Sequence, residues 1–315
     1  MRDLCNNLVH RVKVQMNQMG YQEVYMFQDF LKKFDQIVSE ASKEFTDAFN
    51  KAISGNSVQS GSASPSSAAV DNTPKVDVLN SPVSLNNYKK RVFPAGTPYR
   101  EIMDVYQRKL ILGGPNGFTP ILVPTHSDTL EENISILNDE GYSIKEAIAG
   151  ASAEDGRKFL EERYQEIVAD RGGDDEALIG EFEGEAEMLY NFKAFTDYSG
   201  DKTEEVALYY IPTANPWEVP AYIPFGGFNE CPSPKTMVSV CKYWYEKYKA
   251  IPTTISGDIM EYTVDNPVER DESVNLAKEH YAFCPDRVDQ GTMTYTLSEL
   301  ADTLSYAEKW YFWWD

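Results

Sequence analysis

From residue 3 to residue 53 apolar side chains recur at helical spacing. Phe27, Phe30, Leu31, Phe34, Val38, Ala41, Phe45 and Ala48 form one stripe, and Lys32, Lys33, Asp35, Glu40 and Lys43 fall off it. An earlier stripe, Leu4, Leu8, Val12, Met16 and Met19, runs into Gly20. The pattern therefore predicts two helices joined near Gly20 or one long bent helix. Such a stripe needs a cover: the main domain, a second copy of itself, or a partner on which the helix docks. The periodicity stops at Ser54. Through Ser84 the chain is rich in Ser, Gly and Pro, with Gly55, Ser57, Ser60, Gly61, Ser62, Ser64 and Pro65 in its first half. This composition predicts a flexible linker of about 30 residues with an end-to-end reach of roughly 30 Å.

Regular patterning returns at Thr97. Pro98 suits a first helical turn, and Ile102, Val105, Tyr106 and Leu110 share a face that the run Gly113–Gly117 is expected to end. Phe118–Val123 reads as a buried strand, Leu130–Asn138 and Ile144–Ala149 as short helices, and Asp155–Asp170 as an acidic helix turning Phe159, Leu160, Tyr164 and Ile167 inward. Arg171–Glu176 reads as a loop and Val206–Ile211 as a strand. Lys235–Lys249 is helical. Ile251–Ser256 and Ile259–Val264 flank Gly257-Asp258 as a hairpin, in which Pro252 marks an edge or a strand start. Helices over Asp271–Phe283 and Leu297–Leu304 and a strand over Trp310–Trp314 complete the chain. Strands and helices mix without a strict repeat, so the expected class is α+β, a mixed sheet with packed helices. The expected organisation is a helical segment (1–53), a linker (54–84), an upstream α/β part (85–205) and a C-terminal domain (206–315).

Charge changes this picture. Of the formal charge of -21, the segment from Asp128 to Glu205 carries 23 acids against 7 bases. An acidic field disfavours nucleic acid and anionic membrane as partners, because phosphate binding needs a basic footprint, and it attracts a basic protein. Glu181, Glu183, Glu185 and Glu187 are the candidate binding residues. Their spacing does not match a twelve-residue calcium loop. Gly113–Gly117 is no phosphate cradle, because it lies between a helix and a strand, the reverse of the order a cradle needs. Four cysteines with no leader pattern and no apolar run of about 18 residues point to reduced thiols, a cytoplasmic location and no membrane span.

All five tryptophans and three of the four cysteines lie in the last third. Pro216-Trp217, the run Pro224-Phe-Gly-Gly-Phe-Asn-Glu-Cys-Pro232, the helix Tyr243-Trp-Tyr-Glu-Lys-Tyr248, the run Glu279-His-Tyr-Ala-Phe-Cys-Pro-Asp286 and the closing Phe312-Trp-Trp-Asp315 occur there in order. Together they resemble the bacterial domain of unknown function 4253. The resemblance covers roughly the last hundred residues and reaches weakly back to about Arg91, with Phe228 where the family pattern has tryptophan. It implies a bacterial, cytoplasmic protein and supplies no activity.

Two chemistries compete with a structural role for the rare residues. Cys231, Cys241, His280 and Cys284 add up to a Cys3His zinc set, although Cys241 shares a helix face with core residues. Alternatively, His280 activates Cys284 or Cys231 as a nucleophile, oriented by Asp286 or Glu279, with His126 joining from the end of the upstream strand. The leading functional class is a non-enzymatic acidic binding module, immunity-like or adaptor, for a basic protein. A Cys/His-dependent hydrolase or zinc-binding protein using His280, Cys284, Asp286 and Cys231 is the alternative.

Overall fold

The six strands β1 (Lys89–Phe93), β2 (Thr119–Pro124), β3 (Val206–Ile211), β4 (Ile251–Ile255), β5 (Ile259–Thr263) and β6 (Lys309–Trp313) form one sheet in the order β1-β3-β2-β4-β5-β6. The computed structural model describes residues 77–184, 191–197, 199–200 and 202–315. All belong to one compact unit, Thr73–Asp315. The predicted N-terminal helix and most of the linker lie outside the described residues, as do Glu185 and Glu187.

Every strand pairing is antiparallel except that of β2 with β4. That seam joins the two halves of the sheet, so the fold is α+β with a mixed sheet. Alternation along β3 sends Ala207, Tyr209 and Ile211 to one face and Val206 and Leu208 to the other, and β2 divides Ile121 and Val123 from Leu122 in the same way. Both faces are covered, which is why these strands read as continuous apolar runs.

The first face carries most of the helices: α2 (Asp128–Asp139), α3 (Ile144–Ala149), α4 (Ala153–Asp170), α5 (Asp175–Ile179), α6 (Val219–Tyr222), α7 (Pro234–Tyr248), α8 (Arg270–Phe283), α9 (Asp286–Asp289) and α10 (Leu297–Leu304). The second face is covered by α1 (Tyr99–Asn116), through Ile102, Val105 and Tyr106, and by Phe192 and Phe195 of the 191–197 segment. None of the described helices is long and apolar enough to cross a membrane.

Local chemistry explains the boundaries. Ser152 accepts from the Asp155 amide to start α4, and Ser233 accepts from the Thr236 amide to start α7, with Pro234 at its first position. α4 and α7 meet where Gly156 lies on α7: a Cβ there would stand 2.3 Å from the Ser239 carbonyl oxygen. Only glycine allows that approach, so the acidic helix is seated directly on the aromatic one.

The structure departs from the expected elements at several points. Helix α1 runs through Gly113, Gly114 and Pro115 to Asn116, and it is Gly117, at φ 73°, that ends it. Its amide and that of Phe118 turn back to the carbonyls of Gly114 and Gly113, giving a left-handed cap. Asp175 and Glu176 lie in the short helix α5, because the Asp174 carboxylate caps the Ala177 amide. Of the two alternatives for Pro252, the strand start holds and the edge does not: it is the second residue of β4, which is interior, and a bulge between Pro252 and Thr254 absorbs the missing donor. Strand β1 was not foreseen, since four of its five residues are exposed. Strand β2, from the part before residue 206, lies between β3 and β4 in the same sheet.

A fragment of residues 77–315 is therefore expected to retain one cooperative urea transition, with early proteolysis of the full chain between Ser54 and Ser84. A fragment of residues 206–315 leaves β3 and β4 without the strand between them and should lack such a transition. Cooperative unfolding of the shorter fragment would contradict the shared-sheet account.

Candidate functional site

The residues that carry the candidate chemistry sit around α8 and the paired strands β5 and β6. α8 presents His280 to the first face of the sheet, where the residue is fully buried. Its ring lies 4.7 Å from Trp310 and Phe312 and 5.4 Å from Trp244, centroid to centroid. Neither Nδ1 nor Nε2 has a hydrogen-bond partner among the described residues. Burial, and then the positive charge of Arg287, hold the imidazole well below its ordinary value, so His280 is neutral at pH 7.

Cys284 ends α8 with an extended backbone, and its Sγ donates to the Trp313 carbonyl at 3.0 Å. The thiol thus points to β6 and forms no hydrogen bond with His280. Burial pushes it up to about 12. Cys231 is buried in the 225–232 loop, and burial likewise raises its thiol. Cys241 lies 3.0 Å from the Tyr262 hydroxyl on the inner face of α7 and is pushed up to about 12. Burial thus disfavours the thiolate on all three, and the thiolate is the form in which a cysteine attacks as a nucleophile. Asp286 accepts from Gln290 Nε2 at 2.7 Å and from the Asp315 amide at 3.2 Å, away from His280. His126 is exposed in the turn after β2. Among the described residues no group of three or more His, Cys, Asp or Glu could hold a metal ion. The i, i+4 spacing of His280 and Cys284 is real, but it serves packing against the terminal strand.

Glu279, the other expected partner of His280, faces the opposite way. Its Oε1 accepts from Tyr243 at 2.8 Å and Lys247 at 3.1 Å, and Oε2 accepts from Trp244 Nε1 at 2.9 Å. Lys247 also reaches Glu272 at 2.8 Å and lies 4.7 Å from the Tyr248 ring. The hydrogen bond from Lys247, set against desolvation, holds the Glu272 carboxyl below its usual range. This cluster lines a groove of about 630 Å³ between α4, α7 and α8, whose other charged walls are Arg157, Glu161 and Lys278. Sequence reading missed it. The signal was present in Tyr243 and Lys247, four apart on α7, and Glu272 and Glu279, seven apart on α8.

A second missed group is Glu261. It lies on β5, 1% exposed, directly across from Tyr311 of β6. Its carboxylate accepts from the amides of Lys193 at 2.7 Å and Ala194 at 3.2 Å and from Thr254 Oγ1 at 2.7 Å. It thereby ties the 191–197 segment to the second face. Desolvation outweighs these three donors and lifts the carboxyl from 4.5 to about 7. Strand alternation hides such a residue, because a glutamate at this position reads as solvent-facing.

The acidic candidates Glu181 and Glu183 are both exposed. The bases of α4 and of the loop after it are already engaged: Arg157 with Glu154 at 2.5 Å and with Glu161, Lys158 with Glu162 at 3.5 Å, Arg163 with Glu166 at 3.5 Å and Glu230 at 3.3 Å, and Arg171 with Asp289 at 2.5 Å.

Glu261 and His280 titrate with opposite consequences. Between pH 4.5 and 7 the folded state keeps the Glu261 proton that the unfolded chain has lost, so stability falls as pH rises, by about 3 kcal/mol over the window. His280 stays neutral when folded, and its contribution is lost as pH falls below 6.5. Each is isolated by difference from wild type in urea unfolding: Glu261→Gln should be less pH-dependent between 4.5 and 7 in the sense of losing the decline. His280→Phe should be more stable at pH 5, by about 1–3 kcal/mol, because it removes a buried imidazole without partners. Loss of stability in His280→Phe at every pH would refute the assignment of His280 as a tolerated, unpaired core residue.

No curated protein and no solved structure matches the chain. The resemblance read from the rare-residue motifs is confirmed for the C-terminal part: residues 207–315, from β3 to β6, match the family described as Domain of unknown function (DUF4253).

Proposed function

We propose that the protein is a non-enzymatic binding module of the bacterial cytoplasm, immunity-like or adaptor in kind, whose acidic surface engages a basic protein. The observation that carries this reading is the imbalance left after internal pairing. α2 exposes Asp128, Glu131, Glu132 and Asp139 and contains no basic residue. On α4 every basic side chain is held by a carboxylate of the protein itself, while Asp155 and Asp170 remain exposed without a partner. The surface around them therefore carries an excess of carboxylates, the field that raises association rates with a positively charged partner. The buried, neutral thiols and the partnerless His280 favour binding over Cys/His catalysis.

Charge-driven association is screened over about 10 Å at 0.1 M salt. A partner captured from bacterial lysate at about 0.05 M salt should be lost at about 0.5 M, and its binding should weaken at least tenfold when Glu131, Glu132, Glu181 and Glu183 are all changed to Lys. A captured partner indifferent to both changes would disprove the electrostatic model.

A further inference from the structure

The loop of residues 290–296, between α9 and α10, holds two large apolar side chains in water: Met293 is 88% exposed and Tyr295 65%. Single exposed apolar residues are ordinary. This pair differs in the bracing beneath it. The buried Glu299 of α10 accepts from the amides of Met293 at 3.0 Å and Thr294 at 2.8 Å and from Thr294 Oγ1 at 2.7 Å. The Thr294 and Thr296 hydroxyls lie 2.7 Å apart, and Thr292 Oγ1 donates to the Val288 carbonyl at 2.9 Å. Tyr295 itself has φ 58°, in the left-handed region that a tyrosine rarely adopts. A loop that only connected two helices would take that φ more easily with glycine. Here the strain is held in place, and a large aromatic is fixed facing solvent. Tyr and Met are enriched at the centres of protein interfaces, and a side chain fixed in advance loses little freedom on docking.

The surroundings say what kind of partner fits. A Cβ on Gly180 would stand 2.5 Å from the Thr296 methyl carbon, and Ser298 Oγ donates to the carbonyls of Ile179 and Gly180 at 2.8 and 2.7 Å. The loop therefore abuts the acidic segment. The chain leaves this contact into the exposed Glu181 and Glu183, and the exposed Asp174 and Glu176 lie just before it. Carboxylates around an apolar centre repel a second copy of the same surface and attract a basic one.

We propose that Met293 and Tyr295 are the apolar anchor by which the acidic surface holds a basic protein. The two side chains enter an apolar recess of the partner, and Glu181 and Glu183 meet Lys and Arg at its rim. This rests on the acidic-binding reading above and divides the labour within it: the carboxylates speed encounter, and the anchor sets how long the complex lasts.

The test places the photo-crosslinking residue benzoylphenylalanine at position 295 of the full chain, with the exposed Ile111 on α1 as control position, and irradiates in a lysate of the encoding organism at about 0.05 M salt. A basic protein, identified by mass spectrometry, should be joined at 295 and not at 111. With that protein purified, Tyr295→Ala and Met293→Ala should each raise the dissociation rate about tenfold and leave the association rate and its salt dependence unchanged. Tyr295→Gly should show the same faster dissociation while melting no lower than wild type, because its backbone strain is gone. A salt-sensitive partner whose dissociation ignores both alanine variants would overturn the anchor and leave the acidic-binding reading standing. Dissociation that responds, in a complex indifferent to salt, would support the anchor and remove that reading. No adduct at 295, equal adducts at 295 and 111, an adduct only with a second copy of this chain, or a lowered Tm in Tyr295→Gly would overturn the proposal.

Discussion

The parallel seating of β2 beside β4 is the constraint on which the remaining architecture depends. β3 pairs with β1 and β2, β5 with β4 and β6, and the two groups meet only through Leu122 opposite Thr254. A parallel neighbour needs a long crossover, and here the crossover contains most of the first-face helices. The helices that bear the acid charge are thus the connection that lets the sheet close. Their inner faces complete the core formed by Trp244, Trp310, Phe312 and Phe283, whose rings contact one another at centroid distances of 4.7–5.5 Å. Aromatic pairs in these geometries add to the transfer energy of their burial.

Much of the fold was legible because periodicity and punctuation agreed. Helices over Ile144–Ala149 and Leu297–Leu304 have the expected bounds, and the β4–β5 hairpin turns at Gly257-Asp258 as the residues suggest. Where the sequence misled, a longer-range interaction had overruled a local rule. Pro115 is tolerated within α1 because the helix ends two residues later at Gly117. Pro252 survives in an interior strand because the bulge removes the need for its donor. β1 was invisible because an exposed edge strand carries no apolar alternation.

The site was less legible than the fold, and for a physical reason. His280, Cys284 and Cys231 attract attention because their side chains are reactive in water, yet reactivity is a property of environment. Within the aromatic core the imidazole loses its proton affinity and the thiols keep theirs. Conversely, Glu261 and Arg287 look ordinary in sequence and become the unusual groups once buried, one with its carboxyl lifted to about 7 and the other with its Nε lacking an acceptor among the described residues. Buried ionisable groups are where perturbed chemistry concentrates. Nothing in their sequence neighbours marks them.

The two ends of the sheet have a consequence for how this protein behaves in a crowded solution. A six-stranded sheet with so aromatic an interior presents two rows of backbone groups that could template another chain. At β1 the exposed positions are Lys89, Lys90, Arg91 and Val92, and the like charges of the first three repel a second copy of the same edge. At β6 the outer row is covered by α9, with the Cys284 thiol on the Trp313 carbonyl. The molecule thus guards both edges by different means, charge on one side and a covering helix on the other, and aggregation through strand addition would first require α9 to peel away.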